Sequence, residues 1–213
     1  MPSKSDLFLS LLAGQSVIPV LRIDDAAHAV PLARALARGG LPAMEITLRT
    51  PAALEAIRRA AAEVEEAIVG AGTILDARQF DDAARAGSRF IVSPGLTPQV
   101  IAAAAASPVP LLPGAVTAGE IMAAREAGLT FLKFFPAEQV GGAAYLKSLA
   151  SPFAGIRFCP TGGIGAGNAR DYLSLPNVVC VGGSWVAPDA LVKAERWDEI
   201  EALAREASGL RKA

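Results

Sequence analysis

The feature that most constrains this chain is the regular alternation of short apolar runs with alanine-rich segments. Runs rich in β-type residues cover 16–23, 41–49, 67–74, 89–95, 110–115, 130–136, 157–163 and 178–185. Helical stretches fall between and around them, at about 4–14, 25–38, from Thr50, from Asp76, from Thr97 and over 117–127, with a closing helix over 189–208. Gly39-Gly40 reads as a helix stop, while Thr50-Pro51 and Thr97-Pro98 read as an N-cap followed by proline at the first helical position. Eight such units are the count of a (β/α)8 TIM barrel, here with an N-terminal leading helix. Near-continuous apolar strands fit a parallel sheet covered by helices. An open doubly wound sheet is the rival architecture, but it calls for a glycine-rich fingerprint after the first strand, where this chain has "VLRIDD". No linker or shift in composition divides residues 1–213, so one domain is expected.

Composition narrows the function classes. Hydrophobic residues make up 52% and charged residues 19%, which describes a packed globular chain. A net charge of −1 supplies no broad basic field for nucleic acid. No apolar run approaches the roughly 20 residues of a membrane span, and the N-terminal run is too short for a secretory signal. Cys159 and Cys180 do not make a disulfide framework and sit within apolar strands, where buried, unreactive thiols are the ordinary case. A cytoplasmic location follows. His28 is the only histidine, so a multi-histidine metal site is excluded and no metal is expected.

Strands two and six carry the chemistry. Period-two alternation puts Met44, Ile46 and Leu48 on one face and Glu45, Thr47 and Arg49 on the other. In "TFLKFFP", Leu132 and Phe134 belong to the helix-facing set, and Phe131, Lys133 and Phe135 face the axis. An ammonium and a carboxylate are thus expected inside the same barrel. A plain buried ion pair gives little net stability. Catalysis accounts for the pair better, because an apolar wall favours the neutral, nucleophilic amine that forms a Schiff base with a carbonyl.

Glycine pairs follow strand seven ("CPTGGIGAGN") and strand eight ("VGGSW"), the place where barrels often hold phosphate. "GAGT" at 70–73 lacks the rest of a nucleotide loop and reads as a close-packed strand end presenting Thr73 inward. Ser93-Pro94-Gly95 shapes the rim after strand four. Trp185 is a candidate for the mouth and Trp197 for packing, while Arg22 ends strand one with its role open.

Taken together, "EITLRTP" (45–51), "VGAGT" (69–73), "SPGLTP" (93–98), "LKFFPAE" (132–138), "FCPTGGI" (158–164) and "VGGSW" (181–185) closely resemble the class I 2-keto-3-deoxy-6-phosphogluconate (KDPG) aldolases, which also act on 4-hydroxy-2-oxoglutarate (KHG). The resemblance spans nearly the whole chain. It implies that Lys133 is the Schiff-base lysine and Glu45 the general acid/base. It gives Arg49 the carboxylate of the pyruvyl moiety, with Thr73 helping to bind that moiety. Pro94, Phe135 and Thr161 would line the pocket, and Gly162, Gly163, Gly183 and Ser184 would receive the phosphate. It implies no cofactor and a homotrimer. The galactonate-derived epimer is an alternative substrate for the same mechanism, and a non-catalytic phosphate-ligand sensor is an alternative of a different class.

Overall fold

The computed structural model describes residues 3–210. Its strands are β1 (Val17–Leu21), β2 (Ala43–Thr47), β3 (Ile68–Gly72), β4 (Phe90–Val92), β5 (Leu111–Leu112), β6 (Phe131–Phe134), β7 (Arg157–Pro160) and β8 (Val181–Gly183). Helix α1 (Lys4–Leu12) precedes them; α2 (Ala29–Arg38), α3 (Ala53–Glu63), α4 (Ala77–Arg85), α5 (Pro98–Ala106) and α6 (Ala118–Glu126) follow β1 to β5 in turn. Then come α7 (Gly142–Ser148), α8 (Ala169–Leu173), α9 (Asp189–Lys193) and α10 (Trp197–Ser208).

The architecture is α/β with a parallel six-stranded sheet, in the order β5-β4-β3-β2-β1-β8, in a TIM-like arrangement. Strands β6 and β7 form a separate parallel pair. Single bridges reach from that pair to both ends of the larger sheet: Gly114 to Lys133 beside β5, and Phe158 to Val178 and Thr161 to Gly182 beside β8. The regular ladder is therefore shorter than eight contiguous strands. Pro110 and Pro113 flank the two-residue β5, and neither has an N–H to extend it. Several other strands also stop short of the apolar runs, because the last residues of those runs form the loops above them.

Two apolar clusters follow the alternation of the strands. Met44, Ile46, Val69, Leu132 and Phe134 pack with the outer helices. Ile18, Phe90, Leu112, Phe131, Cys159 and Cys180 pack on the other face, where α1 supplies the helical partners Phe8 and Leu12. The Phe8 ring lies 4.7 Å from that of Phe90 and 5.4 Å from that of Phe131. Ser5 Oγ accepts the Thr130 and Phe131 N–H groups at 3.0 and 3.3 Å. The leading helix therefore covers the strand starts and leaves the other end of the inner face free.

Helix starts agree with the capping chemistry in most places. Asp76 accepts from Gln79 N–H, Thr97 from Val100 N–H with Pro98 at the first position, and Thr117 forms a capping box with Glu120. Thr50 differs: its hydroxyl donates to Ile23 O at 2.5 Å, and α3 begins three residues later at Ala53. The closing helix is also two helices, broken at Glu195, whose φ is 52°.

Candidate active site

Lys133 is the third residue of β6 and Glu45 the third of β2. They lie on different sheets, yet their side chains meet across the inner face with Nζ 3.2 Å from Oε1. Both are almost fully enclosed, at 6% and 3% exposure. The carboxylate has room because its neighbour on β3 lacks a side chain. A Cβ on Gly72 would come within 1.9 Å of Glu45 Oε1, and one on Gly70 would strike the Phe90 ring. "GAG" is thus the clearance that inner residues of β2 and β4 need.

The wall around the amine is apolar. The Phe135 ring, just past β6, has its centroid 5.5 Å from Lys133 Nζ. Cys159 pairs with Lys133 in the β6–β7 register. The neighbouring Cys159 thiol, together with burial, pushes the Cys180 thiol well above the ordinary range, which leaves it inert. Gly114 bridges Lys133 on the β5 side and packs against the Pro94 carbonyl, which a Cβ there would approach to 2.0 Å.

Above this pair sits Arg49, exposed at the end of the β2 segment. Its Nε donates to Thr47 Oγ1 at 2.8 Å, and the buried Thr47 hydroxyl donates to Leu21 O at 2.7 Å. The guanidinium is thereby fixed at one nitrogen, and its terminal amino groups bond no other described residue. Thr47, on the same face between Glu45 and Arg49, is not among the site candidates named from the sequence, yet its hydroxyl holds Arg49 in place. Thr73 follows β3 with φ 60°, a left-handed conformation that is strained for a β-branched residue.

The ends of β7 and β8 complete the rim. Thr161 is buried, and Gly182 makes the slot for it, since a Cβ there would lie 2.4 Å from Thr161 Oγ1. Gly162 packs under the Phe135 ring, and Gly162 and Gly163 have φ of 99° and 76°. Neither of their N–H groups donates to another described residue. Gly183 packs against Trp185, and Ser184 beyond it is exposed. The structure thus links Lys133, Glu45, Phe135, Pro94 and Gly162 through shared contacts, with Arg49, Thr73, Thr161, Gly163, Gly183 and Ser184 at the same strand ends.

Other polar candidates are engaged with neighbouring side chains. Arg22 pairs with Asp24 at 2.9 Å and Asp189 at 3.7 Å. His28 is packed against Trp197, with ring centroids 5.7 Å apart, and approaches Glu195 at 3.4 Å. Among the described residues, no helix is long and apolar enough to cross a membrane.

Comparison with known proteins agrees with this geometry. The family model described as "Aldolase: KDPG and KHG aldolase" matches residues 9–203. The KHG/KDPG aldolase of Escherichia coli K12 is 48% identical over 198 residues, 93% of each chain. The solved KDPG aldolase of Zymomonas mobilis ZM4 with 3-phosphoglycerate superposes with a TM-score of 0.91 at 48% identity, over 99% of both chains. The KDPG aldolase of Legionella pneumophila, solved with pyruvate as a covalent carbinolamine, gives a TM-score of 0.91 at 41% identity, over 93% of this chain and 96% of that one. With this match along most of its length, the chain belongs to the KDPG and KHG aldolase family.

Proposed function

We propose that this protein is a class I Schiff-base aldolase that cleaves 2-dehydro-3-deoxy-6-phosphogluconate (KDPG) to pyruvate and D-glyceraldehyde 3-phosphate. It also cleaves KHG to pyruvate and glyoxylate. The observation that carries the reading is the enclosed Lys133–Glu45 pair, with an amine and an acid/base 3.2 Å apart. That distance is within the reach of direct proton transfer between the two side chains.

Lys133 passes its ammonium proton to Glu45 across the 3.2 Å contact, and the neutral Nζ attacks the C2 ketone to give a carbinolamine. Glu45 donates the proton with which the hydroxyl leaves as water, and a protonated imine results. Glu45, now a carboxylate, takes the C4 hydroxyl proton. The C3–C4 bond breaks, its electron pair flows into the imine as an enamine, and the aldehyde departs. Return of a proton to C3 and hydrolysis of the imine release pyruvate and free Lys133. The imine is the electron sink, so the reading assigns no cofactor. A positioned acid/base such as Glu45 contributes about 10² to 10⁴ in rate.

The remaining residues bind. Arg49, anchored at Nε, presents its terminal amino groups to the substrate carboxylate as a planar fork. Thr73 supports the same end, and Pro94, Phe135 and Thr161 line the pocket. Gly162, Gly163, Gly183 and Ser184 receive the phosphate, a role supported by the unengaged N–H groups of the Gly162–Gly163 turn. Binding energy at that remote end holds the reacting bond in place.

The gluconate-derived substrate is placed ahead of its galactonate epimer because both compared solved structures carry the gluconate name. We read the chain as one domain and the six-stranded sheet plus the β6–β7 pair as a closed (β/α)8 barrel, which the bridges on both sides of that pair support. The family likeness is the support for a cytoplasmic homotrimer, whose subunit number is to be checked by sedimentation mass.

Pyruvate release coupled to lactate dehydrogenase tests the function with KDPG, its C4 epimer and KHG. The expected order of kcat/KM places KDPG first. No pyruvate from any of the three would overturn the reading in favour of a sensor.

A further inference from the structure

Tyr172 and Glu138 lie outside the groups assigned above, yet they connect to the phosphate end of the site. Tyr172 belongs to α8 and is 1% exposed. Its hydroxyl donates to Glu138 Oε1. Glu138 lies in the loop after β6, and that loop is stitched to the glycine turn after β7. Ala137 N–H donates to Thr161 O at 2.8 Å and Glu138 N–H to Gly162 O at 3.2 Å. The Glu138 stem packs on Gly163, where a Cβ would come 2.6 Å from Glu138 Cγ. Its carboxylate is drawn aside toward Gly142, where a Cβ would meet Tyr172 Oη at 3.5 Å and Glu138 Oε1 at 3.6 Å. Asn168 Nδ2 holds Gly163 O at 3.1 Å. The turn is therefore gripped by its carbonyls, and its N–H groups stay unengaged.

We propose that the Tyr172–Glu138 hydrogen bond is a strut that positions the Gly162–Gly163 turn for the phosphate monoester of the substrate and keeps the Glu138 charge turned away from that anion. The proposal rests on the functional reading above. Glu138 is an anion beside a turn assigned to bind an anion. Left loose, its carboxylate would compete for the same N–H donors and repel the phosphate. Held by a buried hydroxyl, its charge is fixed on the far side, and its stem braces a backbone conformation that favours glycine. Burial, followed by the Glu138 bond, keeps the Tyr172 phenol protonated well past the neutral range, so the donor is always present.

Tyr172→Phe keeps the packed ring and removes only the donor. Steady-state kinetics with KDPG and with KHG test the strut, and circular dichroism checks the fold. The expected result is a KM for KDPG raised about tenfold, the scale of one charge-assisted hydrogen bond, with KHG changed less than about twofold. Glu138→Ala, at an exposed position, loses the brace and the charge together; it is expected to raise the KM for KDPG by less than Tyr172→Phe does, and it reports the brace even if Tyr172→Phe folds poorly. Glu138→Gln, whose amide oxygen still accepts from Tyr172, recovers most of the affinity. Equal effects on both substrates, no shift for KDPG, or Glu138→Gln behaving like Glu138→Ala would each overturn the strut. A wild-type enzyme with no preference for the phosphorylated substrate would instead overturn the phosphate reading, and the strut with it.

Discussion

Gly72 has no side chain where Glu45 needs the space: a Cβ at Gly72 would lie 1.9 Å from Glu45 Oε1 and 2.4 Å from its carboxyl carbon. The two residues sit on neighbouring strands of the inner face, and the glycine determines where the acid stands relative to Lys133. Gly72→Ala is expected to push the carboxylate off the amine and lower kcat by about 10²-fold, the lower end of an acid/base contribution. Circular dichroism and kcat measured on the same sample check it. Unchanged kcat in a folded Gly72→Ala variant would mean that the Glu45 position does not matter.

Lys133→Met is expected to lose all turnover. It also strands Glu45 in an apolar enclosure, which should destabilise the fold by about 3–5 kcal/mol. Replacing the pair together, Lys133→Met with Glu45→Leu, should return most of that loss while leaving the enzyme dead, since a buried pair adds little net stability. Urea unfolding of the three proteins decides. A double variant as unstable as the single one would show that the pair itself holds the fold together.

Thr47 accepts a hydrogen bond from Arg49 Nε and is itself tied to Leu21 O. Thr47→Val keeps the shape and removes both bonds. The expected outcome is a KM raised about tenfold for KDPG and KHG alike, because both carry the carboxylate, as follows from losing one charged hydrogen bond. This pattern is the opposite of that expected for Tyr172→Phe, so a substrate-selective effect would contradict the assignment of Arg49.

The capping box of α6 makes a prediction about pH. Thr117 N–H and Val116 N–H each donate to Glu120 Oε2 at 2.8 Å. The Thr117 backbone bond leads in lowering the Glu120 carboxyl below its ordinary value. A carboxyl depressed in the folded state stabilises above its unfolded pKa of about 4.3 and loses that effect as pH falls through the folded value. The stability gap between wild type and Glu120→Ala should therefore be constant near neutral pH and shrink in acid. Thermal unfolding at pH 7 and pH 3 checks it, and a gap that widens in acid would contradict the cap.

Much of this was legible in the residues because strand alternation is a strong signal. "EITLR" and "FLKFF" divide correctly into inner and outer faces, and the facing of Lys133 and Glu45 follows from that division. N-cap residues marked the starts of α4, α5 and α6 at Asp76, Thr97 and Thr117. What was not legible depends on contacts distant in sequence. Thr50 looks like a cap, but Ile23 O, 27 residues away, takes its hydroxyl. Glu195 carries no local mark of the left-handed turn that splits the last helix. The short α7 and α8 bury few residues and show little periodicity, so the strut on Tyr172 is invisible until α8 is packed. The "GAG" of β3 reads as close packing, but only the structure shows that Glu45 and Phe90 are what it accommodates.

The most direct test of the mechanism is borohydride reduction of the enzyme in the presence of pyruvate, followed by peptide mass spectrometry. The account predicts an irreversible loss of activity and a reduced pyruvyl adduct on the peptide that carries Lys133, with Lys147 and Lys193 unmodified. Full activity after treatment, or an adduct on a different lysine with Lys133 intact, would contradict it.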